Sequence, residues 1–260
     1  MAGSRVVLLL GGSGEAVSLA HALEARVDIR LITSLRGVTR NAEPLPGELV
    51  VGGFGGVEGL RALLAARGVE AVVDATHPFA RRIAWNVWQA ATAAGLPRLK
   101  IWRAPWAPEP GDRWLDVADV AAARRLTAAS WRRPFVSLGR SAMASFPSDG
   151  FDRVLYRSIE PAGDPTSELP ANTVWVQGRG PFDVAGELSL FREHGIDVVV
   201  TKNSGGEATV AKLAAARQLG LPVVMIRRPP DPPPPLVATV DAALDWFDQR
   251  LPNTQRDDNV

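Results

Sequence analysis

The residues of this chain that can do chemistry gather in short turns, each directly after an apolar run. The first is Gly11-Gly12-Ser13-Gly14-Glu15, between the apolar Arg5–Leu10 and an alanine-rich amphipathic stretch. Glycines let a backbone approach a pyrophosphate, and a helix N-terminus offers it N–H groups and a positive dipole end. Val17 stands where the third glycine of G-x-G-x-x-G would fall. A plain tight turn has the same composition, so phosphate binding is an expectation that the next strand must support.

That strand ends Ile32-Thr33-Ser34-Leu35-Arg36, with no acid at its tip. A carboxylate there would hold ribose hydroxyls and repel a 2′-phosphate, whereas Ser34 and Arg36 suit the phosphate. The expected cofactor is therefore NADPH, with Arg40 as a second cation for the same job. Gly52-Gly53-Phe54-Gly55-Gly56 implies an ordered turn with positive φ or close backbone approach, and Gly53 joins the cofactor set. Asp74-Ala75-Thr76-His77-Pro78-Phe79 also follows an apolar run and precedes a helix. Thr76, His77 and Pro78 would border the cofactor, and His77 can bond a phosphate or ribose, donate a proton or cap the turn. His21 and His194 fall within helix patterns. Three scattered histidines without a cysteine make no zinc site.

In the second half, Leu138-Gly139-Arg140, Gln177-Gly178-Arg179-Gly180-Pro181-Phe182 and Thr201-Lys202-Asn203-Ser204-Gly205-Gly206 each follow a strand pattern. Parallel strands would gather these turns on one edge, where Arg140, Arg179 and Lys202 converge on an anionic ligand. Trp85, Trp88, Trp102 and Trp106 could flank a planar ligand, although core packing uses tryptophan in the same way.

The elements that must position these turns alternate between short apolar runs and amphipathic helices. This pattern argues for an α/β protein whose parallel sheets are covered by helices on both faces. Strands are expected at Arg5–Leu10, Asp28–Thr33, Glu70–Asp74, Arg98–Trp102, Pro134–Leu138, Arg153–Tyr156, Thr173–Gln177, Asp197–Thr201 and Pro222–Ile226. Helices are expected at Val117–Ala129, Glu207–Leu219 and Val240–Arg250, among others. The proline-rich Pro105–Gly111 marks a boundary between two Rossmann-like domains, 1–110 for the cofactor and 111–250 for the substrate. An active site is expected in the cleft between them. Arg227–Pro235, with six prolines, is expected to be extended, and the polar tail 251–260 disordered. The Gly11–Ala16 and Lys202–Ala208 turns echo each other, both running into Glu-Ala.

The bulk numbers exclude more than they select. A net charge of +1 gives no field that draws nucleic acid or membrane, and no cysteine means no disulfide or thiolate chemistry. Short apolar runs leave no signal-peptide core or membrane span, so a cytoplasmic protein is expected. Oligomeric state stays open, a monomer included. Tyr156 lacks a lysine four residues on, and neither G-x-x-x-x-G-K-[ST] nor G-x-S-x-G occurs.

Taken in order, Leu10-Gly11-Gly12-Ser13-Gly14-Glu15-Ala16, Gly52-Gly53-Phe54-Gly55-Gly56, Val73-Asp74-Ala75-Thr76-His77-Pro78-Phe79-Ala80, Arg179-Gly180-Pro181-Phe182 and Thr201-Lys202-Asn203-Ser204-Gly205-Gly206 resemble the precorrin-6A reductase family. The family often carries Ser-Leu-Ala-Gly-Arg after the second strand. Here Ser34-Leu35-Arg36-Gly37-Val38 displaces the arginine. The resemblance implies that NADPH reduces one double bond of precorrin-6A, a polycarboxylate tetrapyrrole, to give precorrin-6B in cobalamin biosynthesis. On that basis Gly11, Gly12, Ser13, Gly14, Glu15, Ser34, Leu35 and Arg36 form the cofactor site. Arg140, Arg179, Gly180, Thr201, Lys202, Asn203, Ser204 and Gly205 form the substrate site, with Lys202 and His77 as catalytic candidates. A non-catalytic NADP(H) sensor and a two-domain nucleotide-sugar transferase share the architecture.

Overall fold

The computed structural model describes residues 4–37, 45–139, 145–159 and 169–251. The chain divides into two compact units, Met1–Ala104 with Pro229–Val260, and Pro105–Arg228.

In the first unit, β1 (Arg5–Leu10), β2 (Ile29–Leu35), β3 (Glu48–Val51), β4 (Ala71–Asp74), β5 (Arg98–Ile101) and β12 (Leu236–Val237) form one parallel sheet. Their spatial order is β3-β2-β1-β4-β5-β12, the doubly wound order whose ligand crevice lies at the carboxyl ends beside β1 and β4. The apolar run of β1 serves both faces, because alternate side chains point opposite ways. Val7 and Leu9 pack with Leu19 and Leu23 of α1 (Gly14–Glu24) and with Ala243 and Phe247 of α7 (Val240–Arg250). Leu8 and Leu10 pack with Leu60 and Leu64 of α2 (Val57–Ala66) and with Val87 and Ala91 of α3 (Arg81–Ala93).

The second unit holds β6 (Arg113–Val117), α4 (Val120–Ser130), β7 (Pro134–Ser137), β8 (Val154–Ser158), β9 (Thr173–Gln177), α5 (Val184–Glu193), β10 (Val198–Lys202), α6 (Ala211–Gln218) and β11 (Pro222–Ile226). Its strands are parallel in the order β9-β8-β7-β10-β11-β6. This is the same doubly wound order, except that the outermost strand comes first in the chain instead of last. Among the described residues, four helices begin where a side chain caps the first turn: Ser13 on α1, Asp119 on α4, Asp183 on α5 and Thr239 on α7.

The fold class is as expected, but the domain limits are not. The boundary lies at Ala104–Pro105, not at 110, and the closing helix belongs to the first unit rather than the second. Phe247 is wholly buried in the first unit's core, where truncation to Ala would cost ~3–5 kcal/mol. The proline run that carries the chain back is tied down by Arg98, whose Nη2 donates to Pro233 O and Pro234 O. Lys100 N and Trp102 N then bond Pro235 O and Val237 O as the ladder of β12.

Local boundaries moved too. Val117 closes a strand instead of opening a helix, and Glu207–Thr209 is a single 3-10 turn ahead of α6. The turn echo is therefore not a structural equivalence. By place in its sheet, β10 corresponds to β4, and β7 corresponds to β1.

Candidate active site at the strand ends

In the first unit, four turns follow β1, β2, β3 and β4 on the carboxyl edge of the sheet. The β1 turn packs tightly on β2. Gly11 N donates to Ser34 O at 2.8 Å, and a Cβ on Gly11 would meet Leu35 Cδ2 at 2.7 Å. Gly12 has φ +116, which an L side chain rarely adopts, and nothing lies within 4 Å of its added Cβ. The backbone ahead of α1 is thus bare on its outer side.

Ser13 Oγ accepts from Ala16 N at 3.2 Å and donates to Ala75 O at 2.7 Å. Glu15 turns instead to Arg103, at 2.7 Å. Burial alone would raise the Glu15 carboxyl, but its own backbone N–H and the Arg103 guanidinium outweigh this and hold it below the usual range. This ion pair lies within the first unit.

Ser34 is buried within β2, while Arg36 is exposed just past the strand end. Exposure makes Arg36 the more accessible of the two for a phosphate. Gly52 N donates to Leu35 O at 2.9 Å, so the glycine turn after β3 is ordered, with positive φ at Gly52, Gly55 and Gly56. Gly53 lies exposed in that turn. Arg40 lies outside the described residues.

The β4 turn is built from Asp74, Thr76 and a residue the sequence patterns did not single out, Lys100 on β5. Thr76 N and Thr76 Oγ1 donate to Asp74 Oδ1 at 2.9 and 2.6 Å. Lys100 Nζ donates to Asp74 Oδ1 at 2.9 Å and to Thr76 O at 2.8 Å. Burial pulls the Lys100 ammonium below the ordinary lysine range, and the Asp74 charge opposes that shift. Beyond Thr76, His77 Nδ1 accepts from Phe79 N at 3.2 Å. The imidazole therefore caps its own turn ahead of Pro78 and Phe79.

In the second unit the turns after β7, β9 and β10 share one edge. Lys202 is part-buried, and its Nζ donates to Leu138 O at 2.8 Å; burial lowers its pKa. Arg179 lies exposed after β9. Gly180 is required there because a Cβ would run into the Ala208 carbonyl oxygen. Strand β9 is three places from β10 in the sheet, but its exit loop returns to the segment after β10, where Phe182 N donates to Ala208 O at 3.1 Å. Arg140 lies outside the described residues.

The Asn203 amide is engaged within its own unit. Its Oδ1 accepts from Trp106 N at 2.8 Å and its Nδ2 donates to Trp106 O at 3.0 Å. Trp106 Nε1 adds a bond to Gly206 O at 3.0 Å, and Arg228 Nη2 donates to Ser204 O at 2.8 Å. Asn203 is thus a positioning residue for this loop, within which Thr201 and Gly205 are buried. Beneath the Gly180-Pro181-Phe182 turn, buried Arg157 lies 3.8 Å from the Phe182 ring centroid and 2.7 Å from Glu187 Oε1.

The tryptophans do not act as a set. Trp85 and Trp88 pack against each other with ring centroids 4.6 Å apart and planes tilted by 37°, and Trp102 Nε1 donates to Asp231.

Residues 6–248 match the family model described as "Precorrin-6x reductase CbiJ/CobK". The chain belongs to this family. It is 44% identical over 243 residues to the precorrin-6A reductase of Rhodococcus erythropolis, covering 92% of this chain and 96% of that one. It is also 44% identical over 223 residues to the precorrin-6A reductase of Mycobacterium tuberculosis strain H37Rv, covering 86% and 88%. Its fold is that of the solved "CobK precorrin-6A reductase", with a TM-score of 0.86 at 37% identity, covering 94% of this chain and 96% of that one.

Arg36 and Arg179, both exposed, and the glycine turn after β1 are candidates that sequence patterns alone single out. Lys100, Arg103 and Arg228 were missed because each meets its partner only through the fold, and Trp106, read as a possible flank for a planar ligand, holds the Asn203 amide. One signal was available: Lys100 stands between Leu99 and Ile101 in a strand run, and a lysine so placed is seldom buried without a paired partner.

Proposed function

We propose that this chain is an NADPH-dependent precorrin-6A reductase, adding hydride and a proton across one double bond of the macrocycle to give precorrin-6B. The observation that carries the cofactor reading is the open Gly11–Gly14 turn beside a β2 exit that ends in Arg36 rather than an acid. The residues present fit the group: a Cβ on Gly12 or Gly14 would meet nothing within 4 Å, which leaves room for a pyrophosphate against the start of α1.

Gly12, Ser13 and Gly14 hold the pyrophosphate, and Arg36 pairs with the 2′-phosphate. Thr76 and His77 border the nicotinamide half. When bound, NADPH supplies the hydride. Arg179 and Lys202 take carboxylates of the substrate, and Asn203 holds the loop that carries Lys202. The proton that completes the reduction comes from solvent, so these residues act by placement and water exclusion, not as obligatory acids. No observation favours an NADP(H) sensor or a sugar transferase. Among the described residues no helix is long and apolar enough to cross a membrane, and we place the protein in the cytoplasm, where its cofactor and substrate are made.

The test is direct. Purified protein mixed with precorrin-6A should oxidise NADPH in step with formation of a product two hydrogens heavier. Oxidation independent of precorrin-6A, or none at all, refutes the activity.

A further inference from the structure

Neither Lys100 nor Asp74 exposes any of its side chain. The Lys100 ammonium has three N–H groups, and three acceptors surround it: Asp74 Oδ1 at 2.9 Å, Thr76 O at 2.8 Å and Thr76 Oγ1 at 3.1 Å. An apolar pair of the same volume would fill this part of the core at least as well, since buried ion pairs seldom add net stability. What an apolar pair cannot do is grip a backbone carbonyl beyond the end of β4. Asp74 and Lys100 are register neighbours, and the long lysine side chain reaches past that pairing to Thr76. From the other side, Ser13 Oγ donates to Ala75 O at 2.7 Å. The turn after β4 is thereby held from β5 by an ammonium and from β1 by a hydroxyl, at the edge where a doubly wound sheet binds its ligand.

We infer that Lys100 is a positioning residue that holds the Ala75–His77 turn in the shape that receives the nicotinamide half of the cofactor. This role rests on the NADPH assignment above. It separates two effects that a purely structural lysine would leave joined, fold stability and recognition of one half of the dinucleotide.

The discriminating variant is Lys100→Met combined with Asp74→Asn, because Lys100→Met alone would leave a buried carboxylate without its ion-pair partner. The readouts are thermal unfolding and calorimetric titration with NADPH and with 2′,5′-ADP, which keeps the 2′-phosphate but lacks the nicotinamide half. The double variant is expected to melt within a few degrees of the parent and to bind 2′,5′-ADP within about twofold, yet to bind NADPH about tenfold more weakly. An NADPH affinity equal to the parent's, or equal losses for both ligands, overturns the role.

Hydrogen exchange on the parent gives a second reading that does not depend on the variant folding. NADPH should protect the amides around residues 75–80 more than 2′,5′-ADP does, and equal protection overturns the proposal. A parent that binds neither ligand refutes the cofactor assignment itself and takes the role of Lys100 with it. Binding by the parent together with an unaffected variant refutes Lys100 alone.

Discussion

The Ser13 hydroxyl joins two turns: it donates to Ala75 O at 2.7 Å while accepting from Ala16 N at 3.2 Å. One oxygen both caps α1 and fixes the β1 turn to the β4 turn. Ser13→Ala should destabilise the protein by about 1 kcal/mol through loss of the cap. It should also weaken NADPH by about tenfold, since the N–H groups facing the pyrophosphate lose their anchor. Ser13→Thr, which keeps the hydroxyl, should restore most of both. Thermal unfolding and calorimetric titration measure the two effects, and unchanged NADPH affinity in Ser13→Ala would move the phosphate site away from this turn.

Arg36 stands exposed at the exit of β2. Arg36→Glu replaces a 2′-phosphate partner with a repelling charge, so NADPH should weaken at least about tenfold more than NADH. Titrating both nucleotides against parent and variant reads this ratio directly. A ratio that stays at one assigns the 2′-phosphate to another cation, with Arg40 next in line.

Asn203 is bonded to both backbone groups of Trp106. Asn203→Ala leaves a part-buried N–H and C=O without those partners and should cost about 2 kcal/mol. Because the loop carries Lys202, KM for precorrin-6A should rise while NADPH affinity stays at the parental level. Steady-state kinetics alongside NADPH titration checks the split, and a loss confined to NADPH would contradict it.

Lys212 is wholly buried in the second unit, with Nζ donating to Thr209 O at 2.6 Å and lying 4.6 Å from the Trp106 ring centroid. Burial, reinforced by Arg157 and opposed by Glu187, lowers its pKa from the ordinary 10.5 to about 7. Between those values the unfolded chain keeps a proton that the folded chain has shed. Unfolding therefore takes up a proton, and this group makes the protein more stable as pH rises. The penalty is full below about pH 7 and absent above about pH 10.5. Lys212→Met should gain most relative to the parent below pH 7, with the advantage shrinking as pH approaches 10. Denaturant unfolding of both proteins across that range tests the slope, and a pH-independent difference would rule out the shift.

Much of the fold was legible in the amino-acid order. A run such as Val7 to Leu10 feeds both faces of a sheet and so reads as a buried parallel strand. Gly-Gly-Ser-Gly between that run and an alanine-rich helix marks a capped turn whichever fold surrounds it. The family resemblance, too, was carried by these short stretches. Helix starts were harder, and Val117 was misassigned because the Asp119 cap two residues later sets the boundary through one side-chain bond. The extended proline run was expected, but nothing in it told which sheet edge it would join.

Taken alone, the sequence determined what depends on neighbours along the chain: alternation of strand and helix, the chemistry of each turn, the missing acid after β2, and kinship with a known family. Tertiary structure decided everything that needs partners far apart in the chain. Ser13 finds Ala75 across 62 residues, Lys100 finds Thr76 across 24, and Asn203 finds Trp106 across 97. The physical reason is that residue type limits which hydrogen bonds a side chain can make, while strand order decides which groups come within reach. Only the order β3-β2-β1-β4-β5-β12 sets Lys100 beside Asp74 and brings the closing helix back to the first unit.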